Sequence, residues 1–178
     1  MLTIGSGNAW GATSTVTISD TNYPSKQTGT TVSGTGDLES TWTVTVVANS
    51  FNGNNNGKIQ AGSNRQSATS ITLSSSSFKG KTITSIAVTA YDDANKTRAV
   101  FTAKVNGTQF GSTSTLKTSS DTYTASGNVA CTGDVVVELK RSSAQNKALY
   151  LSKVVVTYTA AEPCTPLGTI NWSILGSN

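Results

Sequence analysis

Residues 133–141, GDVVVELKR, and residues 148–159, ALYLSKVVVTYT, are the stretches that decide the fold class. In the first, Val135, Val137 and Leu139 fall on one side while Glu138 and Lys140 fall on the other. That is the two-residue period of a strand buried on one face. In the second, Leu149, Leu151, Lys153 and Val155 alternate with Tyr150, Ser152, Val154, Val156 and Tyr158. The six residues between them, 142–147, are polar, so the pair reads as a long antiparallel hairpin.

The same period recurs towards the N-terminus. TWTVTVVA, residues 41–48, sets Trp42, Val44 and Val46 against Thr41, Thr43 and Thr45, with Trp42 on the inward side. STVTISD (14–20) carries Val16 and Ile18 on one face, and TSITLSS (69–75) carries Ile71 and Leu73. KTITSIAVTAYDD (81–93) places Ile86, Val88 and Ala90 opposite Ala87, Thr89 and Tyr91. In RAVFTAKVNGTQFG (98–111), Asn106-Gly107 sits between two alternating runs, a strong hairpin signal. No segment offers apolar residues at helical spacing over a dozen positions. One-sided alternation on so many strands requires two sheets that hide their inner faces against each other. The expectation is an all-β, antiparallel two-sheet β-sandwich of jelly-roll type with no significant helix.

Composition agrees. Hydrophobic residues make up 35% of the 178 residues and charged residues only 12%, about half the usual charged share. Ser, Thr, Gly and Asn fill the difference, a mixture that suits strands and turns. The 13 Lys and Arg give a net charge of +4 but are scattered singly, which argues against nucleic acid as a partner. No apolar run is long enough to span a membrane.

Residues 1–160 read as one sandwich domain, with 1–37 the least patterned part. After Tyr158 the texture changes: TAAEPCTPLGTINWSILGSN holds two of the three prolines. Residues 161–178 therefore read as a linker to a further domain, or as a strand exchanged with a neighbouring subunit, because Ile170, Trp172 and Ile174 alternate with Asn171 and Ser173. The opening MLTIGSGNAWG has neither the basic region nor the long apolar region of a signal peptide, so an exported protein would carry this chain as a mature fragment. Cys131 and Cys164 show no metal-ligand or redox spacing; they form one disulfide in an exported protein or remain two thiols.

The chain has no histidine. That removes Ser-His-Asp and Cys-His machinery and the usual His-containing zinc sites. The 9 carboxylates are dispersed, mostly at predicted turns, whereas a glycosidase needs two facing each other across a sugar. The expectation is a protein that is not an enzyme and needs no cofactor. Asp92, Asp93 and Asn95 form the one candidate calcium loop; the competing reading is a solvated turn.

A sugar site needs aromatic faces flanked by amides and charged groups. Phe51 and Tyr91 lie beside predicted loops, as do Trp10, Tyr23, Phe110 and Tyr123, and for each alone packing beneath a loop is the favoured reading. Between two strands runs NSFNGNNNGKIQAGSN (49–64), where Asn54, Asn55 and Asn56 offer paired donors and acceptors and Arg65 and Gln66 follow. Asn and Gly equally suit a tight left-handed turn, so the stretch reads both ways. The sequons at Asn95, Asn106 and Asn171 accept glycans only in a pathway that recognises them.

KIQAGS, ITSIAVTAYDD, FTAKVNGTQFG and GDVVVELKRSSAQNKALYLSKVVVTYT, in that order and spacing, resemble the β-sandwich modules of large secreted or cell-surface bacterial proteins. The ending KALYLSKVVVTYT with PCTPLGTI after it looks like such a module giving way to an immunoglobulin-like repeat. The likeness covers roughly residues 38–165 and resembles carbohydrate-binding modules in fold; it transfers no binding residues. It implies an extracellular or cell-surface setting and a non-catalytic module that binds glycan or polysaccharide through Phe51, Asn54, Asn55, Asn56, Arg65, Gln66 and Tyr91. The alternative is a structural or adhesive subunit of a surface fibre or virion, assembling with its neighbours by strand addition.

Overall fold

The computed structural model describes residues 11–17, 31–33, 35–36, 40–53 and 55–160. They form thirteen strands: β1 Gly11–Thr17, β2 Thr31–Ser33, β3 Thr35–Gly36, β4 Thr41–Ala48, β5 Phe51–Asn52, β6 Ile59–Ala61, β7 Ala68–Ser75, β8 Lys81–Asp92, β9 Val100–Val105, β10 Thr108–Thr115, β11 Asp121–Ala130, β12 Val135–Gln145 and β13 Leu149–Ala160. No helix occurs among the described residues. One sheet runs β11-β8-β13-β1-β3, with β6 also on β13 and β5 on β6; the other runs β10-β9-β12-β7-β4-β2. All pairings are antiparallel. The facing sets β1-β13-β8-β11 and β7-β12-β9-β10 have the interleaved order of a jelly roll.

Alternation predicts the buried faces of most strands correctly. Trp42, Val44 and Val46 of β4, Ile71 and Leu73 of β7, Ile86, Val88 and Ala90 of β8, and Val135, Val137 and Leu139 of β12 all enter one core. Asn106 and Gly107 have φ of 56° and 78° and join β9 to β10, with Val105 facing Thr108. This is the two-residue turn whose left-handed residues match strand twist. Asn106 does more than turn: its Nδ2 donates to Ala130 O, and its Oδ1 accepts from the Thr132 and Gly133 amides, each at 2.8 Å. The amide of that sequon is thus spent on the β11–β12 connection.

Two expectations about the decisive stretches are corrected. β12 and β13 are not a hairpin, because β12 is paired on both edges by β7 and β9, and β13 on both edges by β8 and β1. The polar connection instead crosses from one sheet to the other. β13 also changes phase: the register slips between Leu151 and Lys153, so Leu149 and Leu151 are buried first and Val154, Val156 and Tyr158 after the bulge. Lys153 and Val155 therefore do not share the face of Leu149.

The inward row of β12 ends on Arg141, which is fully buried, as is Asp92 at the end of β8. Arg141 Nε donates to Asp92 Oδ2 at 3.0 Å and its Nη2 donates to Oδ1. The remaining guanidinium hydrogens reach Ala68 O (3.0 Å), Gln145 O (3.3 Å), Lys147 O (2.9 Å) and Ala148 O (3.0 Å). Asp92 in turn accepts from the Ala94 and Ala99 amides. Every charge is paired and hydrogen-bonded, as burial at this depth requires.

Removing one member leaves the other charged and dry. Arg141→Met is expected to cost about 3–5 kcal/mol in urea unfolding, and Asp92→Leu/Arg141→Met to recover little of that loss, because the carbonyls and amides that the pair satisfies stay unpaired. Asn106→Ala, which strands two amides and strains the turn, is expected to cost about 2–3 kcal/mol; Asn106→Gly relieves only the turn and recovers about 1 kcal/mol.

Candidate functional site

The Arg141–Asp92 pair lies beneath the end of the first sheet, and the surface above it is built from the flanking residues. On β8 and β13 the neighbours of buried Ala90, Asp92, Leu149 and Leu151 must point outward. These are Tyr91 and Tyr150, which face each other across the strand pair. Their rings are stacked, with centroids 4.3 Å apart and planes 15° from parallel. Gln60 of β6 stands opposite Tyr150, and Asn52 of β5 stands opposite Gln60, so the row continues as amides. Gln60 is itself fixed, accepting from Asn55 Nδ2 and donating to Gly62 O at 2.9 Å.

Three crossings between the sheets bring further groups to this end. The β8–β9 crossing begins with Asp93, whose amide donates to Ala148 O. The β12–β13 crossing supplies Lys147, whose Nζ lies 3.2 Å from Asn64 Oδ1. Asn64 and Arg65 are the exposed corner of the turn closed by Ser63 and Gln66 on the β6–β7 crossing. Burial pushes the Asp93 carboxyl above its ordinary value, with the Asp92 charge adding and Lys147 and Arg141 opposing. Burial also raises Tyr91, helped by Tyr150 and Asp93, and raises Tyr150, helped by Asp93.

The residues singled out from sequence divide among several roles. Tyr91, Arg65 and Asp93 belong to this surface, and Asn55 supports it through Gln60. Asn56 and Gly57, with φ of 53° and 73°, form the tight turn of the β5–β6 hairpin, closed by the Asn55 amide on Lys58 O. The Asn-rich stretch is thus a hairpin in which the Asn55 side chain has a second use, on Gln60. Gln66 is exposed and contributes its backbone to the neighbouring turn. Phe51 faces Ala61 and packs against the core, so it is a lid on the interior instead of a platform. Asn54 and Cys164 lie outside the described residues, as do Trp10, Tyr23 and the 161–178 segment. Phe110 and Tyr123 are buried, and the Tyr123 hydroxyl accepts from the Lys117 amide.

The calcium reading of Asp92, Asp93 and Asn95 is corrected at Asp92, and so is the solvated-turn alternative. Both Asp92 oxygens are taken by Arg141 and two amides inside the core, while Asp93 points to the opposite face and Asn95 is exposed. No group of three metal-ligating side chains occurs among the described residues. Cys131 is buried and unbonded to any cysteine among the described residues; its thiol donates to Gly133 O at 3.4 Å and burial raises its pKa.

Tyr150, Lys147, Gln60 and Asn64 were not singled out. Tyr150 could have been found from the two phases of alternation in ALYLSKVVVTYT, which conflict at Ser152-Lys153.

No family model matches the chain, and no curated protein matches it. Among solved structures, one that it is similar to is a family two carbohydrate esterase from Cellvibrio japonicus, with a TM-score of 0.45 and 12% identity over 86% of this chain. The chain spans 37% of that protein's length. A likeness this slight carries no argument about activity.

The raised Asp93 pKa predicts a pH effect. Its ionised form is disfavoured on folding, so the penalty is present at neutral pH and vanishes as the pH falls below the ordinary carboxylate range. Asp93→Asn is therefore expected to raise Tm at pH 7, with a difference that shrinks on acidification, measured by thermal unfolding across pH.

Proposed function

We propose that the chain is a non-catalytic extracellular module that binds glycan on the outer face of the first sheet, within a larger surface or secreted protein. The observation that carries this reading is the stacked Tyr91–Tyr150 pair at the surface, in line with Gln60 and flanked by Asp93, Lys147 and Asn64. Stacked rings cover one face each and leave apolar surface for the C–H side of a pyranose, and the flanking groups supply donors and acceptors for its hydroxyls. Both rings stand on paired strands, so the platform is preformed.

The placement of the carboxylates supports a binding role. Asp92 is held by Arg141, Asp121 by Lys117 and Glu138 by Lys104, which ties up three candidates for acid–base work. No helix among the described residues is long and apolar enough to cross a membrane.

The test is a glycan array probed with the parent chain, followed by titration of the hits with Tyr91→Ala and Tyr150→Ala. Each variant is expected to bind about five- to tenfold more weakly, the loss of one stacking contact of about 1–1.5 kcal/mol, with thermal unfolding close to that of the parent. Unchanged affinity in both variants, or no glycan bound at all, sinks the reading.

A further inference from the structure

Several cationic side chains share the end of the sheet that carries Tyr150. Lys147 precedes Tyr150 by three residues and reaches Asn64, and Arg65 is exposed at the next position of the same turn. Lys153, turned outward by the β13 bulge, is exposed beside Thr89, which is on the same face as Tyr91. Asp93 is the carboxylate on which Lys147 acts.

Arg65, Lys147 and Lys153 against Asp93 leave a local excess of two positive charges among the described residues. Moreover, the ion pairs among the described residues lie elsewhere: Lys104–Glu138, Lys117–Asp121 and Arg141–Asp92. Arg65, Lys147 and Lys153 take part in none of these three pairs and are placed to attract an external anion. Such charges act on a bound anion within the roughly 8 Å screening length of physiological salt. The Arg65 guanidinium, with its fork of donors, suits a carboxylate or sulfate group, and the Lys147 ammonium is a point charge for the same groups. A neutral sugar would make no use of this concentration of positive charge.

Building on the glycan reading, we infer that the platform takes an anionic glycan, one bearing uronate carboxylates or sulfate esters. A sugar ring rests against the tyrosines and its acid groups meet Lys147 and Arg65. Selectivity then comes from charge placed at the rim of a stacking surface, with the amide row from Gln60 orienting the ring.

The test titrates the full chain at about 0.15 M salt with polygalacturonate, its methyl-esterified form, dextran sulfate and unsubstituted dextran. Parallel titrations use Lys147→Gln, Arg65→Gln and Tyr150→Ala. The expected result is that at least one acidic polymer binds at least tenfold more tightly than its neutral counterpart; which one distinguishes uronate from sulfate. Lys147→Gln and Arg65→Gln should each remove severalfold of that preference, and Tyr150→Ala should weaken binding as a whole. Equal binding of neutral and acidic forms, still dependent on Tyr150, overturns the anionic preference and leaves the platform standing. Acidic binding indifferent to all three substitutions is general attraction to a basic chain and overturns the inference. If no polymer binds, and the glycan array is also blank, both readings fall together.

Discussion

The buried Arg141–Asp92 pair is the interaction on which the rest of this sandwich depends. It joins the last inward position of β12 in one sheet to the last inward position of β8 in the other. Its hydrogen bonds extend to the start of β7 and to both ends of the β12–β13 connection, while Asp92 accepts from the Ala94 and Ala99 amides of the β8–β9 connection. Three separate crossings are thus tied to one ion pair. A leucine pair could fill the same volume, yet it could not satisfy the carbonyls and amides that turn inward there. Buried ion pairs in general add little net stability over well-packed apolar residues; here the pair's value is that it satisfies polar backbone at a place where chain reversal leaves it unpaired.

The candidate site inherits its geometry from that arrangement. Asp93, Lys147 and the Asn64-Arg65 corner each belong to one of the three tied crossings, so they are held at fixed positions around the tyrosine pair. The β6–β7 crossing also needs Gly62, whose φ is 74° and where a Cβ would come within 2.8 Å of both Ala68 Cβ and Gln66 O. A side chain at that position would push the Arg65 turn away from Lys147. Rigid support from below and charged loops above are what a preformed binding face requires.

The opposite end of the core is closed differently. Trp42, Phe78 and Tyr158 pack in sequence with centroid separations of 5.6 and 5.7 Å, and Lys81 Nζ lies 4.4 Å from the Tyr158 ring centroid. Trp42 Nε1 donates to Ser40 Oγ, so its one polar atom is satisfied. One end of the sandwich is therefore sealed by aromatic packing and the other by a polar network. Both Phe78 and Trp42 are fully buried, which fits a stabilising end, whereas Tyr91 and Tyr150 stand at the surface of the other end.

The sequence by itself determined the all-β class, the inward faces of β4, β7, β8 and β12, and the Asn106-Gly107 turn, because alternation and left-handed turn chemistry are local properties of the chain. It also marked Tyr91, Arg65 and Asp93 without showing that they meet. Tertiary structure alone decided that β12 and β13 lie in different sheets, since that depends on which edges β7, β9, β1 and β8 have already occupied. It likewise decided that Arg141, legible as a polar strand end, continues the buried row to reach Asp92 some 49 positions away in sequence. Tyr150 joined Tyr91 only through the bulge at Ser152-Lys153, because a one-residue slip moves every later side chain to the other face. Residues brought together across two sheets carry no mark of their partners in local pattern, and the candidate site is composed of such residues.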